Sequence, residues 1–290
     1  MKLKFFYILA LAAVLFSSCG EYNRILKSND PELKYTYAKK YFEQKKYGRA
    51  SSLLEDLVPQ FKGTSKAEES LFLLAQSFFY NRDYTTATQY YKTYYTTYPK
   101  GEYVEIAHFN AAYGMYLDSP DYRLDQAPTI SAISEFQNFL ELFSKSDKAE
   151  NAQKYMFELQ EKLAEKELGA VRLYYNLGNY MGNNYESCVI TAKNAMKSYP
   201  YSKYLEEYQA FIVRSKYQLA INSIEYRQPV RYRDVLDEFY NYKNMFPTGK
   251  HLKELSKYFE SSQEVLKNLP DNVSPDNILN KQQDQGINQK

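Results

Sequence analysis

Apolar and polar positions alternate in three ways along this chain, and each predicts a different element. Residues 5–16 form an unbroken apolar run of 12, preceded by Lys2 and Lys4 and followed by Ser17-Ser18-Cys19-Gly20. A membrane-spanning helix needs about 20 apolar residues. The run is too short for that, and with its positive start and small-residue end it predicts an export signal over residues 1–18. From residue 31 to about 268 apolar side chains recur at steps of three and four, the spacing of amphipathic helices. Residues 269–290 are rich in Asn, Gln and Asp with few large apolar side chains, which predicts a disordered tail.

The helical stretch repeats itself. Ala38, Tyr47, Ala50 and Phe61 stand 37 residues before Ala75, Tyr84, Ala87 and Tyr98. Later units keep the second half: Ala132 is followed 11 residues on by Phe143, Cys188 by Tyr199 and Val235 by Phe246. Two antiparallel helices approach closely only where side chains are small, and Ala38 with Ala50, or Ala75 with Ala87, supplies such a point. Pro99, Pro200 and Pro247 disfavour helix at the residue before them, so a second helix ends at each. Asp30-Pro31 reads as a helix start, and Ser65-x-x-Glu68 as a capping box. Helix pairs are predicted near 31–61, 66–98, 102–143, 148–199 and 202–247. Insertions fall around 118–121 and 227–229, and a closing helix near 250–268 covers the last apolar face.

Charge and residue chemistry narrow the function. Removing residues 1–18 takes away two lysines and no acid, so Lys+Arg falls from 37 to 35 against 35 Asp+Glu. A formally neutral chain argues against nucleic acid as a partner, because phosphate binding rests on an excess of Lys and Arg. It argues equally against a strongly basic membrane-binding face. With Cys19 set aside, Cys188 alone remains, so no disulfide staples the fold. The chain has 32 Tyr and no Trp, and tyrosine pairs a rigid apolar ring with a polar tip. No HExxH, CxxC, P-loop or GxSxG motif is present, and His108 and His251 are alone in their helices. Glu68-Glu69 and Glu206-Glu207 sit at helix starts, where carboxylates complement the helix dipole. The expectation is a protein that is not an enzyme, with no metal site and no cofactor.

Leu15-Phe16-Ser17-Ser18-Cys19 resembles a bacterial lipoprotein signal, although Phe16 stands where that family usually has Leu. The resemblance implies a covalent lipid on Cys19. Tyr37-Ala38, Tyr41, Ala50, Leu54 and Leu57, and then Leu74-Ala75, Phe78, Ala87, Tyr91, Tyr94 and Pro99, resemble tetratricopeptide repeats. The fold class expected is therefore all-α, a tetratricopeptide-like solenoid of about five helix pairs plus a C-terminal capping helix. Five such units behind a lipoprotein signal, with the stretch from Leu163 to Leu168, Tyr174-Tyr175 and Tyr199-Pro200-Tyr201-Ser202, resemble the BamD family of outer-membrane assembly lipoproteins. The high Tyr and Asn usage suggests a Bacteroides-like source. The likeness implies a scaffold anchored by lipid to the outer membrane on its periplasmic face. Its partners would be a BamA-like barrel insertase with periplasmic domains and unfolded outer-membrane barrel proteins. It further implies a lipidated tether at 19–30, substrate-binding repeats at 31–147 and partner-binding repeats with the capping helix at 148–268. The competing expectation is a glycan- or peptidoglycan-associated helical-repeat envelope lipoprotein. Glycan capture of that kind uses exposed Trp platforms, which this chain lacks.

In a tetratricopeptide unit the first helix lines the concave groove. Taking Ala38, Ala75 and Ala112 as the close-packing positions, the residues three before, one after and four after face inward. This selects Tyr35, Lys39 and Phe42; Phe72, Gln76 and Phe79; and Phe109, Tyr113 and Tyr116. Seven of the nine are aromatic, which suits an extended, aromatic-ended peptide, because rings bury much area at low entropy cost. The same rings would equally serve to pack neighbouring repeats.

Overall fold

The computed structural model describes residues 20–268. The export signal, Cys19 and the 269–290 tail lie outside the described residues. Every regular element among them is helical. Residues 20–26 form α1, followed by α2 (Pro31–Glu43) and α3 (Tyr47–Gln60), α4 (Ala67–Tyr80) and α5 (Tyr84–Thr97). Then come α6 (Val104–Leu117) and α7 (Ala127–Leu142), α8 (Ala149–Leu177) and α9 (Asn184–Ser198), α10 (Leu205–Ile221) and α11 (Gln228–Met245), and α12 (Leu252–Asn268). A short 3-10 turn, Glu225–Arg227, leads into α11.

Packing separates two compact units. The first runs to Pro120 and resumes over Asp125–Leu159; the second takes Asp121–Leu124 and the chain from Gln160. The expected division between residues 147 and 148 differs from this, since the start of α8 packs with the first unit. Within the first unit each helix from α2 to α7 packs on the next, and α9 to α12 do so in the second. Ala50, Ala87, Ala132, Cys188 and Val235, the small positions of the five second helices, are all completely buried. Burial also pushes the Cys188 thiol above its usual pKa, which makes it an unreactive core residue.

The helix ends follow from local chemistry. Asp30 caps α2, accepting from Glu32 N at 2.9 Å and Leu33 N at 3.2 Å, with Pro31 in the first turn. The turn inside each of the first two pairs needs one left-handed residue, and the chain places Lys45 (φ 58°) and Arg82 (φ 65°) there rather than glycine. The capping box expected at Ser65 does not form. The α4 helix begins at Ala67, its N-cap Lys66 makes no side-chain capping bond, and Glu68 points elsewhere.

Glu68 reaches forward into the next repeat. It accepts from the Tyr94 hydroxyl at 2.6 Å and from Glu102 N at 2.7 Å. Glu206 does the same with the Tyr242 hydroxyl at 2.8 Å and His251 N at 3.4 Å. Glu105 meets Ser146 Oγ at 2.6 Å, and Glu161 meets Lys203 N at 3.3 Å. An acid near the start of a first helix, or part-way along α8, thus ties down the loop that begins the following repeat.

That loop has a fixed form. Phe61, Tyr98, Phe143, Tyr199 and Phe246 are the C-caps of α3, α5, α7, α9 and α11. Their carbonyls accept from the residue three further on, which is Thr64, Gly101, Ser146, Ser202 or Gly249. Glycine appears only where a tyrosine stands four places before the cap. A Cβ on Gly101 would lie 2.5 Å from Glu68 Oε1 and 2.6 Å from the Tyr94 hydroxyl. A Cβ on Gly249 would lie 2.8 Å from Glu206 Oε1 and closer still to the Tyr242 hydroxyl. Where Phe139 replaces the tyrosine, Ser146 supplies the missing hydroxyl to the acid itself.

Candidate functional site

The nine groove candidates all lie in the first unit, and the structure divides them by depth. Tyr35 and Phe72 are each 6% exposed. Tyr35 packs edge-on against Phe61, with ring centroids 5.4 Å apart, and Phe72 stacks on Tyr103 at 4.4 Å. Both belong to the layer beneath the surface. The other seven are only partly buried.

Lys39 makes an ion pair with Glu69 at 2.7 Å, which links the first helices of repeats one and two. The Lys39 contact holds the Glu69 carboxyl below its usual pKa. Tyr35 lies under this pair with its hydroxyl buried, and desolvation, aided by Glu69, raises that hydroxyl's pKa. Gln76 sits half-buried on α4, between the levels of Phe72 and Phe79.

The remaining five join a run of rings that crosses the first three repeats and ends on α8, the first helix of the fourth. Phe42 touches Tyr47 at 5.4 Å and Tyr80 at 5.9 Å, and Tyr47 stacks on Tyr80 at 5.1 Å. Tyr80 adjoins Phe79 at 5.8 Å, and Phe79 reaches Tyr113 at 6.0 Å. Tyr113 stacks on Tyr155 at 4.8 Å, and Tyr116 closes on the same ring at 4.7 Å. Phe109 adjoins Tyr113 at 6.0 Å but also packs on Phe139 at 5.5 Å, which ties the run to the core. Each such pair contributes roughly 0.5–1.5 kcal/mol beyond its area. The run is therefore both a brace between first helices and a surface of half-buried rings.

Polar tips stud that surface. The Tyr116 hydroxyl donates to Glu158 Oε2. Burial, with Glu158 second, pushes the Tyr116 pKa up to about 12. Burial also raises Tyr113. These hydroxyls stay protonated at neutral pH, and the single Tyr116 proton is committed to Glu158. Tyr47, Tyr80 and Tyr155 were missed by the spacing rule. Tyr80 sits five residues after Ala75, outside the selected steps, yet it is 50% exposed and central to the run.

The second unit carries a charged cluster beside its own ring contacts, Tyr175 with Phe211 at 5.4 Å and Tyr217 with Tyr258 at 4.6 Å. Arg214 of α10 clamps Glu254 of α12 through Nε at 2.8 Å and a terminal nitrogen at 2.6 Å. His251 Nδ1 lies 3.1 Å from the same guanidinium, and Glu207 pairs with Lys250 at 2.5 Å. Arg214 holds the Glu254 carboxyl below its usual pKa. Nothing in the repeat spacing separates this cluster from ordinary surface charge, because its partners lie 40 and 37 residues apart.

Among the described residues no group of three or more His, Cys, Asp or Glu is placed to hold a metal ion. His108 is stacked on Tyr95 at 3.7 Å and desolvation lowers its pKa, so it is a neutral packing residue. No described helix is long and apolar enough to cross a membrane.

Comparison with known proteins adds a family. A family model described as outer membrane lipoprotein (YfiO) matches residues 27–224. The chain is 25% identical over 183 residues to the outer membrane protein assembly factor BamD of Pasteurella multocida, covering 60% of this chain and 70% of that protein. All nine groove candidates fall inside the matched stretch, as do Glu207 and Arg214, whereas His251 and Glu254 lie beyond it.

Proposed function

Starting from the fact that the chain belongs to the outer membrane lipoprotein (YfiO) family, we propose that it is a lipid-anchored scaffold subunit of the machinery that assembles β-barrel proteins into the outer membrane. Lipid on Cys19 holds it at the periplasmic face. The first unit receives unfolded barrel chains along the run from Phe42 to Tyr155. The second unit holds a barrel insertase with periplasmic domains. The protein binds and positions; it does not catalyse.

The observation that carries this reading is the continuous band of half-buried rings from the first repeat to α8, with Tyr47 and Tyr80 stacked at 5.1 Å and Tyr113 and Tyr155 at 4.8 Å. An unfolded barrel strand alternates apolar and polar side chains. Rings spaced along first helices accept its apolar side, and tyrosine hydroxyls with Lys39 and Glu69 meet its backbone and polar side. The name of the Pasteurella relative, an outer membrane protein assembly factor, supports the same assignment. Tagged protein extracted in mild detergent is expected to bring down a large outer-membrane barrel protein with periplasmic domains. Recovery of a sugar transporter or of peptidoglycan fragments in its place would reject the proposal.

A further inference from the structure

Residues 20–26, part of the stretch expected to be a lipidated tether, form a helix that is docked. Ile25 is 1% exposed and packs with Tyr35, Ala38 and Tyr41 in the core of the first repeat. Glu21 accepts from the Tyr37 hydroxyl at 2.9 Å and pairs with Lys40 at 3.4 Å. Tyr22 lies edge-on to Tyr41, with centroids 5.7 Å apart. The chain is thus fixed to the first repeat within two residues of Cys19.

The surface at this point is basic. Residues 20–50 carry eight Lys and Arg against four Asp and Glu, in a mature chain that is neutral as a whole. Lys34 and Lys39 are engaged with Asp56 and Glu69, acids outside this segment. The rest gather round α1 and the α2–α3 turn. Lys40 lies over the Tyr37 ring at 4.7 Å, Arg49 over Tyr22 at 5.1 Å, and Lys46 over Tyr41 at 5.9 Å. Tyr37 and Tyr41 are themselves 6.0 Å apart, so these cations form one patch about a common set of rings. Lys45 is exposed in the left-handed turn, and Arg24 and Lys27 are exposed on and just beyond α1. The Tyr41 hydroxyl is buried there without a hydrogen-bond partner.

We propose that this patch is a second membrane contact, at which the first repeat rests on the anionic phospholipid headgroups of the bilayer that takes the lipid of Cys19. The location of the patch rests on the lipid-anchor reading above; its chemistry does not. Basic side chains near a bilayer are drawn to anionic headgroups, and tyrosine rings suit the interface between water and hydrocarbon. Because α1 is docked, the contact would also fix the attitude of the first repeat to the membrane instead of leaving it on a leash.

The test uses the mature chain with Cys19→Ser, which carries no lipid. It is offered vesicles of phosphatidylethanolamine and phosphatidylglycerol at about three to one, or of phosphatidylcholine alone. We expect sedimentation with the anionic vesicles at low salt, weakened at least about tenfold by salt screening at 0.15 M and above. Lys40→Glu/Lys45→Glu/Lys46→Glu should abolish it, and Lys45→Gln/Lys46→Gln, which leaves the Glu21–Lys40 pair intact, should weaken it. Lys253→Glu/Lys257→Glu in α12 should leave it unchanged. Equal binding to both vesicle types, or no loss in the patch variants, would overturn the proposal. The lipidated wild type separates the two readings. If it floats with both vesicle types while the unlipidated chain ignores the anionic ones, the patch is refuted and the anchor stands. If the chain with Cys19 in place floats only with the anionic vesicles, as the Cys19→Ser chain does, the anchor reading falls and the patch stands.

Discussion

The Tyr94 hydroxyl donates to Glu68 Oε1 at 2.6 Å, and the two together fill the space that a side chain on Gly101 would need. Tyr103 N closes the group by donating to the same hydroxyl at 3.0 Å. Glu206, Tyr242, Gly249 and His251 repeat the arrangement in the second unit. Gly101→Ala should therefore destabilise the protein by about 1–3 kcal/mol, as overpacking does. Tyr94→Phe should cost about 1 kcal/mol through the lost hydrogen bonds. The two changes share one space, so in urea unfolding the double variant should be more stable than the sum of the singles predicts. Strict additivity would show that the Tyr94 hydroxyl is not what excludes a side chain at 101.

Arg82 holds a left-handed backbone (φ 65°) that costs a non-glycine residue about 1 kcal/mol or slightly more. Arg82→Gly should raise the melting temperature, since the relief of strain outweighs the added freedom of the unfolded chain. A lower melting temperature would mean that the arginine side chain contributes more than its backbone loses.

Glu254 titrates below its usual value of 4.5, chiefly because Arg214 bonds to its charged form. A depressed folded-state pKa stabilises the fold above the unfolded value. That stability drains away as pH falls from 4.5 toward the lower folded value. Acid unfolding of the wild type should thus steepen below about pH 4.5, and Glu254→Gln should flatten this limb. The check is the urea midpoint followed between about pH 6 and pH 3. An unchanged limb in the variant would assign the acid sensitivity to other carboxylates.

For the ring band, Phe79→Ala/Tyr113→Ala should weaken capture of an aromatic-ended barrel segment by about tenfold or more, the scale of a binding hot spot. Far-ultraviolet circular dichroism should remain helical. The same pair of changes in the second unit, Phe211→Ala/Tyr217→Ala, should leave capture intact. Equal losses from both pairs would place the site outside the band.

Much of the fold was legible because the repeat is written in residue size. Small or medium side chains at 50, 87, 132, 188 and 235 mark the buried point of each second helix, and an aromatic 11 residues later marks its end. The forward reach of Glu68 and Glu206 was not legible. A glutamate near a helix start reads as a dipole partner, and only the arrival of Tyr94 or Tyr242 from a residue 26 or 36 places away reveals the other role. The docking of α1 was hidden for a similar reason. One buried side chain, Ile25, carries it, too little to form a periodic signal. In the candidate site the spacing rule found Phe42, Phe79, Tyr113 and Tyr116 by register. It also selected Tyr35 and Phe72, which lie under the surface, because register fixes direction from the helix axis and not depth below neighbouring side chains.

The most direct test of the central claim is photo-crosslinking in living cells from position 80, where the ring is half-exposed and stacked on Tyr47. A photoreactive residue there should capture newly exported barrel proteins before they reach their folded, heat-resistant form, while the same residue at Tyr240 in the second unit should not. Absence of barrel adducts at position 80, or equal yields at both positions, would contradict a substrate-receiving band on the first unit.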